Sequence, residues 1–175
     1  MKKLFLVLAL AFAGIFTANA QVWIGGSTSL FANKNQANFS VSPEVGYSFP
    51  DSRWTVAAGV TYALNDRKIT DNTHVTNHTL ILSPYVRYSI CNIEKFAMFL
   101  DLTGDFDVLS DNFGYRIGLQ PGIAWMATKH WTAAFRFGFL GYNHCDAYLT
   151  SDAPDYGFKF GFAAAAPTFG LYYNF

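Results

Sequence analysis

The chain has 175 residues, with 12 basic and 12 acidic side chains, 14 % charged residues and 18 % aromatic residues. A soluble domain usually carries about a quarter charged residues, so this composition argues against an ordinary soluble domain. The balanced charge gives no reason to expect a nucleic-acid partner. The length suits one domain, with a single core or a single barrel.

The first 20 residues have the composition of a secretory signal peptide. Lys2 and Lys3 precede an apolar run, Leu4 to Phe16, and Ala18-Asn19-Ala20 completes the A-x-A cleavage pattern. We therefore expect residues 1–20 to be removed and residues 21–175 to form the mature domain. Beyond the leader, no apolar run is long enough for a membrane helix.

The stretch Val41 to Phe49, "VSPEVGYSF", alternates strictly between apolar and small or polar residues, which predicts a β-strand. Pro43 lies on its apolar face. Similar proline-marked strands recur: they start near Ser42, Ser83, Gln120 and Ala166. Four other alternating strands lie between them: Val22 to Phe31, Trp54 to Leu64, Phe96 to Phe106 and Trp131 to Gly141.

The repeating unit is thus two strands long, an antiparallel hairpin used four times. A propeller blade would need four strands per repeat, whereas eight strands of about 9 to 11 residues suit a tilted crossing of a bilayer. We predict an all-β fold, an eight-stranded antiparallel up-and-down transmembrane barrel. Because proline donates no ladder hydrogen bond, we expect local bulges at the prolines.

The connections at the two ends of these strands differ in length. One set is short: Pro50 to Arg53, Cys91 to Lys95 and Ala127 to His130. The other set is longer and polar: Ala32 to Asn38, Asn65 to Asn77 and Asn143 onward. Short periplasmic turns and longer external loops are typical of bacterial outer-membrane barrels.

The polar face consists mostly of Ser, Thr, Gly and Ala, which fit a narrow interior. The apolar face carries bulky groups such as Phe135, Phe137 and Phe139, too many to pack inside eight strands. We therefore expect the apolar face to meet lipid.

Aromatic residues gather at the short-turn end, at Phe49, Trp54, Trp125, Trp131, Tyr173 and Phe175. A second group lies at the long-loop end: Phe39, Tyr62, Phe106, Tyr115 and Phe139. These predict two interfacial girdles.

The last strand contains a change of parity. Tyr156 to Phe162 alternate on even positions, whereas Phe169 to Phe175 alternate on odd positions. A bulge or turn is needed between them, and the run "AAAAP" is the predicted place. We expect the membrane part at Ala163 to Phe175 and a β extension above the bilayer at Tyr156 to Phe162.

Several charged or polar residues have inward parity at a similar height and are candidate site residues. They are Glu44, Arg87, Asp101, Gln120 and Arg136. Because unpaired charges there would be costly, we expect a hydrogen-bonded network. One interpretation is a neutral plug that also fixes the strand register; the other is a gate or proton path.

The histidines offer little sign of catalysis. His74 and His78 are four residues apart, but not on a helix, so the spacing does not indicate a zinc site. His144, Asp146 and Ser151 share the last long loop, where an acyl-transfer site is conceivable. We expect solvated loop histidines, no enzyme activity, no metal and no cofactor.

The two cysteines are expected to remain unpaired with each other. Cys91 is predicted at the short-turn end and Cys145 in the last long loop. An apolar band about 25 Å tall separates these ends, whereas a disulfide needs Cα atoms within about 7 Å.

The SPxVGYxF-type strand, the "FRFGFLGY" strand and the terminal "FGLYYNF" resemble the small outer-membrane β-barrel proteins common in Bacteroidetes. The architecture is similar to OmpX, to the OmpA membrane domain and to porin-family barrels. The resemblance implies a bacterial outer-membrane location, with membrane lipid, periplasmic chaperones and the barrel assembly machinery as partners. Its assembly signal would be the residues Phe169, Leu171, Tyr173 and Phe175.

Three functions follow from this sequence. The first is a non-catalytic integral barrel with a plugged polar interior, whose external loops serve surface interaction or envelope integrity. The second is a narrow porin-like or hydrophobic-solute channel. The third is an enzyme that modifies outer-leaflet lipid. Bilayer conductance separates the second from the first, and the lipid A mass profile separates the third.

Overall fold

A computed structural model describes residues 21–32, 36–70, 73–108, 114–145, 155–161 and 167–175. The expected signal peptide, 1–20, lies outside the described residues, and so does 162–166, where the sequence predicts the change of parity. Every regular element in the described part of the chain is a β-strand. That part contains no helix long and apolar enough to cross a membrane.

The described residues form ten strands. They are β1 (Gln21–Ala32), β2 (Gln36–Ser48), β3 (Trp54–Thr70), β4 (Thr73–Ile93), β5 (Phe96–Asp107), β6 (Tyr115–Met126), β7 (Trp131–Arg136), β8 (Phe139–Cys145), β9 (Asp155–Gly161) and β10 (Thr168–Asn174). Each pairs antiparallel with its neighbours. Strands β7 and β8 both pair with β6 and share the seventh position of the wall. Strands β9 and β10 share the eighth, and β10 pairs with β1 to close the ring.

The predicted eight-stranded antiparallel barrel is therefore confirmed. Following paired residues once around the ring leads from Ala124 in β6 to Gly114, the residue directly before β6. The residues along this path are Ala134, Gly170, Ser27, Ser42, Thr61, Ile81 and Asp107. The path therefore ends ten residues before its starting point in the chain, 124 minus 114, and this offset is the stagger of the ring. Such a stagger tilts the strands by about 40° and leaves an interior that side chains can fill.

The two faces of the wall are inverted relative to a soluble barrel. In β5 and β6 the outward positions are apolar, aromatic, glycine or proline: Phe96, Met98, Leu100, Leu102, Gly104, Phe106, Tyr115, Ile117, Leu119, Pro121, Ile123 and Trp125. Charged side chains are buried inside, among them Glu44, Asp101 and Arg136. In β2, Val41 and Pro43 are exposed while Ser42 and Glu44 are buried, so the predicted orientation of this strand is confirmed.

The prolines do not produce the expected bulges at Pro43 and Pro84. Each proline pairs normally with the preceding strand, at Gly26 and Ala58. On the other side, where β2 pairs with β3 and β4 pairs with β5, the ladder omits the proline and the residue before it. Pairing then resumes in the same register. A missing N–H thus removes pairing on one side only, and no extra residue is needed.

One predicted loop is largely strand. Residues Asn65 to Asn77 were expected to be an external loop, but β3 continues to Thr70 and β4 begins at Thr73. β-Branched residues, such as Ile69 and Val75, favour strand pairing even where neighbouring residues are polar. At the other end, β4 continues to Ile93, so the turn before β5 is shorter than the predicted Cys91 to Lys95.

The predicted seventh strand, Trp131 to Gly141, is broken. Between the pairs Gly122↔Arg136 and Leu119↔Leu140, the seventh wall position has three residues and β6 has two. Gly138 takes a left-handed φ of 70° at this bulge. The extra residue reverses the inward and outward faces from β7 to β8. Phe139 is consequently buried, 3 % exposed, and its predicted place in an outer girdle is wrong.

The eighth position contains the predicted change of parity. Phe158 and Phe160 are exposed on even positions of β9, and Phe169 and Leu171 on odd positions of β10. The reversal thus occurs between Gly161 and Thr168. It accompanies the reversal in the seventh position, because paired strands must present the same face together.

Candidate functional site

The interior holds one connected network of charged and phenolic groups near the end of β7. Glu44 enters it from β2, directly after Pro43. Its carboxylate accepts hydrogen bonds from the Ser27 hydroxyl, from Tyr85 Oη at 2.7 Å and from Tyr172 Oη at 3.3 Å. Arg136 donates to both carboxylate oxygens, at 3.2 and 2.9 Å. The acceptor capacity of Glu44 is therefore fully used.

Asp101 enters the same network from β5 and is 1 % exposed. The Arg87 guanidinium binds it through two parallel hydrogen bonds, 2.7 Å from Nε to Oδ1 and 2.8 Å from Nη2 to Oδ2. Arg136 Nε adds a third at 2.9 Å to Oδ2. Two arginines and two acids balance in charge, and fork-shaped pairs of this kind fix geometry as well as energy.

Arg136 connects the two acids across the barrel. It is the last residue of β7, and its fourth hydrogen bond goes from Nη2 to Tyr85 Oη at 2.8 Å. The same guanidinium lies 4.9 Å from the centre of the Tyr85 ring. Loss of Arg136 would leave Glu44 and Asp101 buried with an incomplete set of donors.

The structure thus brings together Glu44, Arg87, Asp101 and Arg136 of the five candidate residues. Gln120 lies opposite Asp101 in the β5–β6 register and is buried. Among the described contacts, no side-chain hydrogen bond links it to the four charged groups.

Sequence reasoning missed the aromatic residues of this site. Trp23, Tyr85, Phe99 and Tyr172 are buried inside, together with Ala124 and Ala134. The Arg87 guanidinium lies 3.7 Å from the centre of the Phe99 ring, and Trp23 contacts Tyr172 edge to face. All four occupy inward positions in the strand alternation. They were not predicted, because mostly small residues were expected in the interior. Trp23 and Phe99 form an aromatic layer below the charges, toward the short turns, whereas Tyr85 and Tyr172 belong to the network through their hydroxyl groups.

A second ion pair lies nearer the long-loop end. Arg116 Nε donates to Asp105 Oδ2 at 2.8 Å, and the guanidinium lies 4.8 Å from the Phe139 ring centre. Both charged residues have inward parity, so the strand alternation alone could have identified them. The Arg116 side chain is 25 % exposed, more accessible than the 8 % of Arg136.

The predicted aromatic girdle at the short-turn end consists of outward, exposed rings, with Phe49, Trp54, Trp125 and Trp131 between 43 and 50 % exposed. At the other end Phe39 and Tyr62 are likewise exposed, at 45 and 39 %. The residues of the implied assembly signal, Phe169, Leu171, Tyr173 and Phe175, lie on the outward face of β10 and beyond it.

The histidines have structural partners. His78 Nδ1 lies 2.7 Å from Tyr62 Oη, and His144 stacks on Tyr115 with 5.1 Å between ring centres. Asp146 and Ser151 lie outside the described residues, as does the His74 side chain. Among the described residues no group of three His, Cys, Asp or Glu side chains is placed to hold a metal.

Cys91 is a free thiol, placed on β4 opposite Met98 and not in the turn. The backbone of Cys145 ends β8 at the opposite end of the barrel. The side chain of Cys145 lies outside the described part of the chain.

No protein-family model and no curated protein sequence matches this chain. The chemistry of the site therefore rests on its own geometry. Every charge in the central network has an opposite charge within hydrogen-bonding distance. A saturated network of this kind can block the interior and hold the wall together.

Proposed function

We propose that this chain is an integral outer-membrane barrel of the small OmpX-like type, exported through its signal peptide. Its interior is a non-catalytic plug, and its external loops serve surface interaction or envelope integrity. The observation that carries this proposal is the inversion of the wall: charges inside and apolar side chains outside.

Water is a poor solvent for such an exterior. A soluble monomer rarely exposes a contiguous apolar patch larger than a few hundred Å², whereas here the exposed apolar residues continue around the ring, from Ile24 in β1 to Leu102 in β5 and Leu171 in β10. Lipid solvates these side chains without cost. A closed ring of strands also satisfies its backbone in hydrocarbon, which an open sheet does not.

The ladder supports a place for β9 within the apolar band. Phe160 is paired with Leu140, and Leu140 with Leu119 on β6. Phe158 is paired in the same way with Tyr142. We therefore assign these phenylalanines to the outer part of the band, where the aromatic girdle meets the headgroups, instead of to an extension above it.

The interior supports a plug more than a channel. The four charges of the central network are mutually paired, and the aromatic layer of Trp23 and Phe99 lies on their short-turn side. An eight-stranded barrel has room for side chains alone. Ions would have to break the Arg136 pairs to pass.

Two measurements test this proposal. Folded protein in detergent should migrate differently on gels before and after boiling, and planar bilayers containing it should show little or no conductance. Identical mobility would contradict a stable membrane barrel. Conductance like that of an open porin would contradict the plug and favour the channel.

A further inference from the structure

The strand that closes the ring, β10, forms a short ladder with each of its two neighbours. β10 pairs with β7 only between Thr168 and Tyr173, and with β1 only between Phe169 and Asn174. By contrast, β1 and β2 pair from Gln21 to Ala32. On the N-terminal side of Thr168, the break in the seventh and eighth wall positions interrupts the ladder between β7 and β10.

The turn between β6 and β7 holds the end of this strand. The Asn174 backbone N–H donates to the His130 carbonyl at 2.7 Å, and Asn174 Nδ2 donates to the same carbonyl at 3.2 Å. Asn174 Nδ2 also donates to Thr132 Oγ1 at 3.1 Å. In the reverse direction, His130 Nδ1 donates to the Asn174 carbonyl at 3.0 Å.

Aromatic packing extends this contact. The rings of His130 and Tyr173 stack with 5.5 Å between their centres, and Trp131 contacts Tyr173 edge to face at 5.2 Å. The turn also has hydrogen bonds of its own: Thr128 Oγ1 accepts from the backbone N–H groups of His130 and Trp131, at 3.2 and 3.0 Å.

We propose that this turn is a latch for the C-terminal strand: the contact of His130 and Asn174 sets the rate at which β10 detaches from β7 and the barrel opens. The side chains of both residues form hydrogen bonds between the β6–β7 turn and β10, beyond the last ladder pair, Trp131↔Tyr173. The latch therefore acts where the short ladder ends. On the other side of β10, the Phe175 N–H donates to the Val22 carbonyl at 3.0 Å, a backbone bond that side-chain substitution leaves in place.

Amide hydrogen exchange of the folded full chain in detergent micelles tests the latch. His130→Ala and Asn174→Ala should each raise the exchange rates of the β10 amides roughly five- to tenfold, as expected for one or two lost hydrogen bonds. The rates in β2 and β3 should not change. Lys129→Ala is the control in the same turn. Ser48→Ala removes a comparable bond to Thr55, 3.1 Å long, at the same end of the barrel, and should leave β10 unaffected.

Two results would overturn the latch: unchanged β10 rates, or a rise shared equally by all strands. If the alanine variants do not fold, a chain with His130→Cys and Asn174→Cys, and with Cys91 and Cys145 replaced by serine, provides the second test. Its oxidised form should exchange the β10 amides more slowly than its reduced form. Equal rates in the two forms would contradict the proposal, and neither outcome bears on conductance or membrane location.

Discussion

From β1 to β6 every wall position is filled by one unbroken strand, whereas each of the last two positions is filled by two strands separated by a break. In the first part a single alternation of inward and outward residues holds, apart from register shifts at Ile90 near the end of β4 and between Lys68 and Thr70 at the end of β3. In the second part the alternation reverses at Gly138 and again between Gly161 and Thr168. One inserted residue is enough to exchange outward and interior side chains.

The central network joins these two parts of the wall. Arg136 lies directly before the break, and its partners Glu44 and Asp101 lie on unbroken strands. The short strands β7 and β10 thereby gain a fixed position relative to β2 and β5. Disruption of this link should therefore have the largest effect of any single substitution.

Arg136→Ala should lower the free energy of unfolding by about 3 to 5 kcal/mol, because it leaves buried carboxylates without their partner. Urea titration in detergent micelles measures this loss. Arg116→Ala is the matched control, since its pair is more exposed, and should cost about 1 kcal/mol or less. Equal losses from the two substitutions would contradict a special role for the central network.

Phe139 and Phe135 share a parity in the sequence but lie on opposite faces of the wall, 3 % and 39 % exposed. Phe139→Ala should therefore cost about 3 kcal/mol, as for other buried phenylalanines, and Phe135→Ala about 1 kcal/mol. The same titration measures both. A larger loss at Phe135 would show that the faces do not reverse at the break.

Gly138→Ala should destabilise the barrel by about 1 to 2 kcal/mol, because a Cβ is unfavourable at a φ of 70°. Gly138→Asn should recover part of that loss, since asparagine tolerates the left-handed region better than alanine does. If alanine is neutral here, or if asparagine is the worse of the two, the bulge geometry is wrong.

The cysteines should give the smallest effect: no intramolecular bridge, and no change in stability when either is replaced by serine. The backbone places them at opposite ends of the barrel. A membrane-impermeant maleimide applied to intact cells should label Cys145 and spare Cys91. Detection of a disulfide between them in non-reduced peptides of the folded protein would contradict the topology.

Sequence alone predicted much of the fold, because alternation and turn residues act locally. The eight wall positions, the outward face of β2 and the inward parity of Glu44, Asp101 and Arg136 all follow from period-two patterns. The change of parity in the eighth position was readable because "AAAAP" separates two clear aromatic runs. The matching reversal in the seventh position was hidden, since Phe135, Phe137 and Phe139 continue one apolar alternation through the bulge.

The partners of the charges were harder to predict. Tyr85 and Tyr172 bond to Glu44 from strands that are distant in sequence, and only the stagger of the closed ring brings them to one level. The aromatic layer below them was missed because inward aromatic residues were not expected in a narrow interior. The His130–Asn174 contact likewise depends on the pairing of β10 with β7, strands that are not consecutive in the chain, which no local pattern encodes.

The proposed membrane location requires that lipid surrounds the apolar face and is excluded from the interior. Tryptophan fluorescence tests it directly, because Trp54, Trp125 and Trp131 lie outside at 44 to 50 % exposure while Trp23 is inside at 5 %. Variants that retain one tryptophan each would be folded into vesicles of brominated lipid. Strong quenching of the three outer residues, with Trp23 unquenched, is the expected result. Quenching of Trp23 with the others unaffected would contradict the inverted barrel.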